Sequence, residues 1–377
     1  MRNMSRKRVR AALAGILPLL LVSTAWAQLP VFDPAIADSR AFIEQRIAEG
    51  FPGIAVSVAW DGTSVWSEGF GYANVETHEP VTRETKFRVG SISKVLTASA
   101  VGLLVERRKL ELDQPIQTYV IYFPVKDHPI TTRLLAGHSA GIRHYQGVEG
   151  LSSKQYDSVK DSLAIFQNDP LLFEPGTQVS YSSYGWNLVS AAVEGASGEA
   201  FLEFLDANVF EPLTMSNTMA EFFGKEIPNK TTFYSGMGDR RRISLPVNLS
   251  NKWASGGFIS TADDLVAFGS AHLKAGFLKP ETLELLFTPQ VLKNGETSLY
   301  GIGWRVDPAS PELKHRGIHH SGSSQGGKGT LMLYPEFGLA VAILINCDAY
   351  TTNVEDARTI ADAFAAVAPV PESARTK

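Results

Sequence analysis

An α+β fold, with one antiparallel sheet assembled from strands at both ends of the chain, flanked by helices and carrying an inserted helical part, follows from three features of the sequence. Near the front, "GIAVSVAW" and "TSVWSEGFGYA" are rich in Val, aromatic and small residues and are joined by Asp61-Gly62, a strong hairpin signal. Near the end, "YGIGWRVD", "KHRGIHHSG", "GKGTLMLYP" and "LAVAILINC" are four short strand-like runs separated by Gly, Pro and polar turns. Between them, over roughly 101–290, helical patterns and loops dominate, with no alternation of strands and helices that would make a parallel sheet.

Taken in order, the chain starts with a basic segment "MRNMSRKRVR", an apolar run "AALAGILPLLLV" and the small-residue site "AWA". That three-part pattern predicts a secretory signal cleaved after Ala27. The apolar run contains Pro18 and is shorter than the ~20 residues of a spanning helix, so no membrane anchor is expected to remain. "DPAIADSRAFIEQRIAEG" places Ile36, Phe42, Ile43 and Ile47 at helical spacing and ends on Gly50, so it reads as an amphipathic helix. Strands are expected near 53–60 and 63–73. "KVLTASAVGLLVERRKL", "YGWNLVSAAVEGASG", "EAFLEFLDANVF" and "TADDLVAFGSAHLKAG" read as helices, and "TNVEDARTIADAFAAVA" as a closing one. The expected organisation is a leader at 1–27 and a catalytic domain at 28–368, with sheet parts at 28–100 and 291–368 and a helical part at 101–290. Residues 369–377 read as a loose tail.

The 377-residue chain has a formal charge of −4, and Arg2, Arg6, Lys7, Arg8 and Arg10 all lie in the leader. Without that leader the charge is −9, which makes nucleic acid and anionic lipid surfaces unsuitable partners. The single cysteine, Cys347, permits no intrachain disulfide and reads as a small buried apolar residue. The implied localisation is periplasmic or secreted.

Two serines compete for a nucleophile's role. "GHSAG", residues 137–141, fits Gly-x-Ser-x-Gly, the elbow that exposes a serine between a strand and a helix in α/β-hydrolases. Before Ser139, however, Thr131 or Thr132 could cap a short helix, and after it "IRHYQGVEGLSS" cannot sustain a helical apolar face. No His-Gly-Gly-Gly loop precedes it. Ser139 reads as a turn residue whose hydroxyl satisfies local backbone groups.

Ser91 stands in a better context. "FRVGSISKVLTASAVGLLVERRKL" gives a strand-like approach, Gly90, and a long helix that starts at or near the serine. Ser91 and Lys94, at i and i+3, share a face. The free N–H groups and positive potential of the helix start favour an oxyanion and disfavour a charged Lys94. Burial acts in the same sense, so a neutral amine able to take the Ser91 proton becomes accessible. Alone, Ser-x-x-Lys also describes a capping serine followed by a solvent-facing lysine. Two further stretches weigh against that. "FEPGTQVSYSSYGWNLV" sets Tyr181 in a turn before a helix, where a phenol can relay a proton to a leaving group. In "HHSGSSQGG", alternation on a strand sends His319 and His320 to opposite faces, so only one can reach a site.

"SISK", "YSS" and "HSG" follow the order and approximate spacing of Ser-x-x-Lys, Tyr-x-Asn and Lys-Thr-Gly. In this the chain resembles class C β-lactamases and related penicillin-recognising serine hydrolases. "GYANVET", "GIRHY" and "ASGGFISTADDLVAFG" are particularly similar to the branch of mitochondrial β-lactamase-like serine proteases and their bacterial relatives. The resemblance implies a β-lactamase/transpeptidase-like fold, with Ser91 as the acylated nucleophile, Lys94 as its base and Tyr181 as proton shuttle. It also implies an oxyanion hole from the N–H groups of Ser91 and Ser323, and a substrate-facing strand at His320, Ser321 and Gly322. "GHSAG" then aligns with a loop reading roughly His-Thr-Ser-Gly, which makes Ser139 structural.

Two departures bear on substrate. Ser183 stands where the β-lactamases have Asn and is shorter, and His320 stands where they have Lys and is mostly neutral near pH 7. Both weaken the site's positive field and argue for a peptidase or esterase over an efficient β-lactamase. The expected partner is a peptide or small-molecule substrate. A D,D-peptidase, a weak β-lactamase and a non-catalytic penicillin-binding sensor are the other readings that these departures leave open. No cofactor is expected. A zinc site at His315, His319 and His320, or at His138 and His144, lacks an acidic or Cys ligand at a recognisable spacing.

Overall fold

The computed structural model describes residues 29–369 and Pro371, so the leader and most of the tail lie outside the described residues. Helix α1 (Asp33–Ala48) has Pro34 in its first turn, which suits proline's fixed φ, and stops where Gly50 takes φ +102°. Its Ala35, Ser39 and Ile43, spaced by four, form the buried stripe. Strands β1 (Gly53–Trp60) and β2 (Thr63–Asn74) form the expected hairpin, with Asp61 and Gly62 both at positive φ. A two-residue strand β3 (Glu79–Pro80) lies outside β2.

The chain's end supplies β4 (Arg305–Asp307), β5 (Gly317–Ser324), β6 (Gly327–Tyr334) and β7 (Leu339–Ile345). The sheet order is β3-β2-β1-β7-β6-β5-β4, every pair antiparallel. The two ends of the chain meet at β1 and β7, where Ile54 faces Ile345 and Trp60 faces Leu339. Of "YGIGWRVD" only the last three residues are strand. Gly303, at φ +80°, turns the chain just before them, and a side chain there would strike the Trp186 ring.

Alternation sorts the sheet's side chains into two cores. Ile54, Val56, Val58, Val341, Ile343 and Ile345 face α1 and the closing helix α5 (Asn353–Ala365). Those two helices are joined by the Arg46–Asp356 ion pair at 2.8 Å. Ala55, Ala59, Leu331, Leu333, Ala342 and Leu344 face the other way, towards α2 (Ser93–Glu106), α3 (Ser183–Ser197) and α4 (Ala262–Ala271). Each such Ile, Leu or Val contributes ~1.5–3 kcal/mol when fully buried. α4 packs directly on β1 and β7, although its residues fall in the middle stretch. "EAFLEFLDANVF" divides into an α-turn, Phe201–Leu205, and a wider π-turn, Asp206–Phe210. A three-stranded sheet joins Phe87–Arg88, ahead of the middle stretch, to Phe258–Ser260 and Met219–Ala220 within it, runs too short to show a strand period. Among the described residues, no helix is long and apolar enough to cross a membrane. Cys347 is buried and free, as its apolar setting suggests.

The sheet and the helical part meet at Gly90 and Gly322. A Cβ on Gly90 would lie 2.6 Å from the Ser323 nitrogen, and one on Gly322 would lie 1.9 Å from the Val89 carbonyl oxygen. Gly90 also sits at φ +51°. Two glycines therefore let the start of α2 press against β5, which is what brings Ser91 to the strand.

Candidate active site

Ser91 lies in the single 3-10 turn Gly90–Ile92 that runs into α2. One helical turn on, the wholly buried Lys94 places its Nζ 3.1 Å from Ser91 Oγ, 3.1 Å from Ser183 Oγ and 2.7 Å from the Ser255 carbonyl oxygen. Burial, assisted by the nearby Lys252 cation, holds Lys94 well below the ordinary lysine range. The consequence is geometric. The Ser255 carbonyl can only accept, so one N–H is committed there, and Ser183 can take a second. A neutral amine then keeps its lone pair for the third direction, towards the Ser91 hydroxyl.

Tyr181 ends the loop before α3 and lines the same cavity as Ser91. Lys94 Nζ sits 4.8 Å from its ring centre. Burial raises the phenol's pKa, so Tyr181 is a neutral hydrogen-bond donor at neutral pH rather than a phenolate. Ser183 is the first residue of α3 and points its hydroxyl at Lys94. Ser183, expected to face substrate, lines the cavity and at the same time lies 3.1 Å from Lys94 Nζ.

On β5 the two histidines point to opposite faces as alternation requires, although both line the cavity, which reaches round the strand's edge. His319 turns to Asp307, with Nε2 3.0 Å from Oδ2, while His320 lies with its ring centre 6.3 Å from that of Tyr181. His320 Nδ1 faces the Ser321 carbonyl oxygen at 2.6 Å. Burial and the neighbouring Lys94 push its pKa down to about 3, so it is neutral. β4 pairs only with Gly317–His319, so from His320 onward β5 presents an unpaired outer edge. Ser91, Tyr181, Ser183, His320, Ser321, Gly322 and Ser323 all line one cavity of about 1070 Å³. His315 is elsewhere, packed edge-on to Phe337 at 4.7 Å. Among the described residues, no three His, Cys, Asp or Glu side chains are grouped to hold a metal.

Ser139 lies outside this cavity. A short helix, Thr132–Ala136, precedes it, capped by Thr131, whose hydroxyl accepts from Leu134 N at 3.3 Å. Ser139 is buried, and its hydroxyl donates to the Leu134 carbonyl at 3.4 Å. No strand leads into it and no helix follows, so the elbow geometry is missing.

The residues around "GHSAGIRHY" nevertheless shape the site, which the sequence did not reveal. His138 Nδ1 accepts from Ser182 N and His144 Nδ1 from Ser183 N, both at 3.1 Å. The His138 ring also lies 4.3 Å from that of Tyr181. These two imidazoles hold the Tyr181–Ser183 turn from the side opposite α3. In sequence they are forty residues away and look like a loop; only the fold brings them to the turn. His138→Leu leaves a buried N–H without an acceptor. It is expected to lower stability by about 1–2 kcal/mol, read as a reduced denaturation midpoint at unchanged slope. An unchanged midpoint would mean that the Ser182 N–H needs no such partner.

Arg88 anchors the tip beyond β5. It donates to Glu221 at 2.6 and 2.9 Å and to the Gln325 carbonyl at 2.7 Å, and its guanidinium stacks 4.2 Å from the Phe233 ring.

Residues 39–365 match the family model described as Beta-lactamase. The mitochondrial serine beta-lactamase-like protein LACTB of Homo sapiens is 34% identical, with 81% of this chain and 73% of that protein covered. Penicillin-binding protein 4* of Bacillus subtilis is 27% identical, over 77% of this chain and 67% of that one. Among solved structures, the octameric penicillin-binding protein homologue from Pyrococcus abyssi superposes with a TM-score of 0.75 at 27% identity, covering 86% of this chain and 76% of the other. EstCE1, a hydrolase with promiscuous acyltransferase activity, shares the fold at a TM-score of 0.74 and 22% identity, covering 88% of this chain and 98% of that one.

Proposed function

The chain belongs to the Beta-lactamase family of serine hydrolases, related to penicillin-binding proteins and D-aminopeptidases, and from that premise we propose a secreted or periplasmic peptidase or esterase that works through an acyl-enzyme on Ser91. The observation that carries this reading is the placement of Lys94, buried, poised against Ser91 and, among the described residues, short of any counter-ion. In the proposed sequence Ser91 Oγ attacks the substrate carbonyl carbon as its proton passes to the neutral Lys94 amine. The oxyanion lies between the N–H groups of Ser91 and Ser323, at the junction that Gly90 and Gly322 keep tight. The Tyr181 phenol protonates the leaving group, and water then releases the acyl chain through the same groups in reverse. The basic leader and small-residue site at 1–27 support export.

Substrate preference follows from His320. A neutral imidazole on the open strand offers no cation to a carboxylate, so neutral esters and internal amides should outperform penicillins and C-terminal D-Ala peptides. A panel of p-nitrophenyl esters, D-amino-acid peptides and nitrocefin tests this. His320→Lys is expected to raise kcat/KM for nitrocefin relative to a neutral ester by about tenfold at pH 7.5, the low end for a hydrogen bond to a charged group. If wild type already prefers nitrocefin and the ratio does not move, the substrate assignment is wrong. Acylation without turnover across the panel would instead make the protein a sensor.

A further inference from the structure

A second buried lysine, one that lines the cavity, has no part in that mechanism. Lys252 stands at the start of the turn Trp253–Gly256, which also carries Ser255, the residue whose carbonyl holds Lys94. Its side chain is buried, donates to the Gly150 carbonyl, and lies 5.3 Å from the centre of the Tyr145 ring. The Tyr145 hydroxyl reaches Ser255 Oγ at 3.3 Å, so one aromatic ring and one helical turn connect the two lysines. Among the described residues no carboxylate pairs with Lys252. A buried lysine without a counter-ion beside a catalytic lysine costs stability, and that calls for a function.

We propose that Lys252 is a positioning residue that acts through Lys94: its uncompensated ammonium, at the start of the turn whose Ser255 carbonyl holds Lys94, favours the neutral amine that takes the proton of Ser91. The proposal rests on the reading of Ser91 and Lys94 given above. The other groups around Lys94 cannot supply this field. Ser91, Ser183 and Tyr181 are neutral, and burial together with Lys94 itself disfavours the charged forms of His138 and His320. His144, beside both lysines, is held at about 4 by partial burial and their charge. Arg88, the other cation near Lys252, is matched by Glu221. Burial brings Lys252 down to about 8, so it carries most of its charge at pH 7 and below. A like charge is the arrangement that activates lysine nucleophiles and bases elsewhere.

The sign is fixed. Lys94 works as the neutral amine, so kcat/KM rises with pH through its pKa, and removing a like charge raises that pKa. With a neutral p-nitrophenyl ester as probe, Lys252→Gln, which keeps a donor for Gly150, should move the acid limb of kcat/KM upward by about one pH unit. Lys252→Arg should leave that limb at or below the wild-type position, because a guanidinium stays charged. A limb that does not move in Lys252→Gln, or one that moves upward in Lys252→Arg, overturns the proposal. So does a loss confined to KM at an unchanged pH profile, which would mark Lys252 as a substrate contact. If Lys252→Gln fails to fold, the Lys252→Arg limb still decides. Turnover that survives Ser91→Ala would overturn the nucleophile assignment as well, whereas an unmoved limb in a Ser91-dependent enzyme overturns Lys252 alone.

Discussion

Ser91→Ala is expected to lower kcat on a p-nitrophenyl ester by ~10⁴-fold or more, the scale on which removal of a serine nucleophile acts. The substitution deletes one oxygen from a half-open turn and leaves the packing of α2 intact, so the loss belongs to chemistry rather than folding. Ser139→Ala is the matched control. It removes a buried hydroxyl whose single partner is the Leu134 carbonyl, and turnover should stay within a few-fold of wild type. Comparable losses in the two variants would mean that the cavity at the start of α2 is not where the ester is cleaved.

Lys94→Arg is expected to reduce turnover by at least ~100-fold, the low end for loss of a general base. The variant keeps the bulk and approximate length of the side chain. What it loses is the lone pair, since guanidinium has no acceptor and stays protonated. It also puts a permanent cation into a buried site that disfavours the charged form of its lysine. Thermal stability, measured alongside, separates that burial cost from the catalytic one. A folded Lys94→Arg protein with near-normal turnover would return Lys94 to the ordinary residues of a helix and leave Ser91 without a base.

The framework of the fold could be read because local and global signals agree there. The Asp61-Gly62 turn, the β-rich runs on either side of it and the alternating residues of β5 to β7 each require the same antiparallel partners. Ser91 and Lys94 were legible for the same reason, since three residues on a helix fix their distance whatever the tertiary structure. His320 was separable from His319 because strand alternation is local. Lys252, His138 and His144 were not legible. Their roles depend on where separate loops arrive around the Tyr181 turn and the Ser255 turn, and no period in the chain encodes that meeting. Ser183 shows the limit of comparison by motif. Its place in the motif predicts a side chain facing substrate, and it does line the cavity, but its hydrogen bond to Lys94 depends on how two helices pack and is not encoded in the motif.

Covalent trapping reports on the nucleophile without needing the natural substrate. Wild-type protein treated with a fluorophosphonate should gain one adduct by intact mass, mapped by peptide analysis to Ser91. Ser139→Ala should gain the same adduct and Ser91→Ala none. Labelling that persists in Ser91→Ala and disappears in Ser139→Ala would contradict the site described above and place the nucleophile in the "GHSAG" turn.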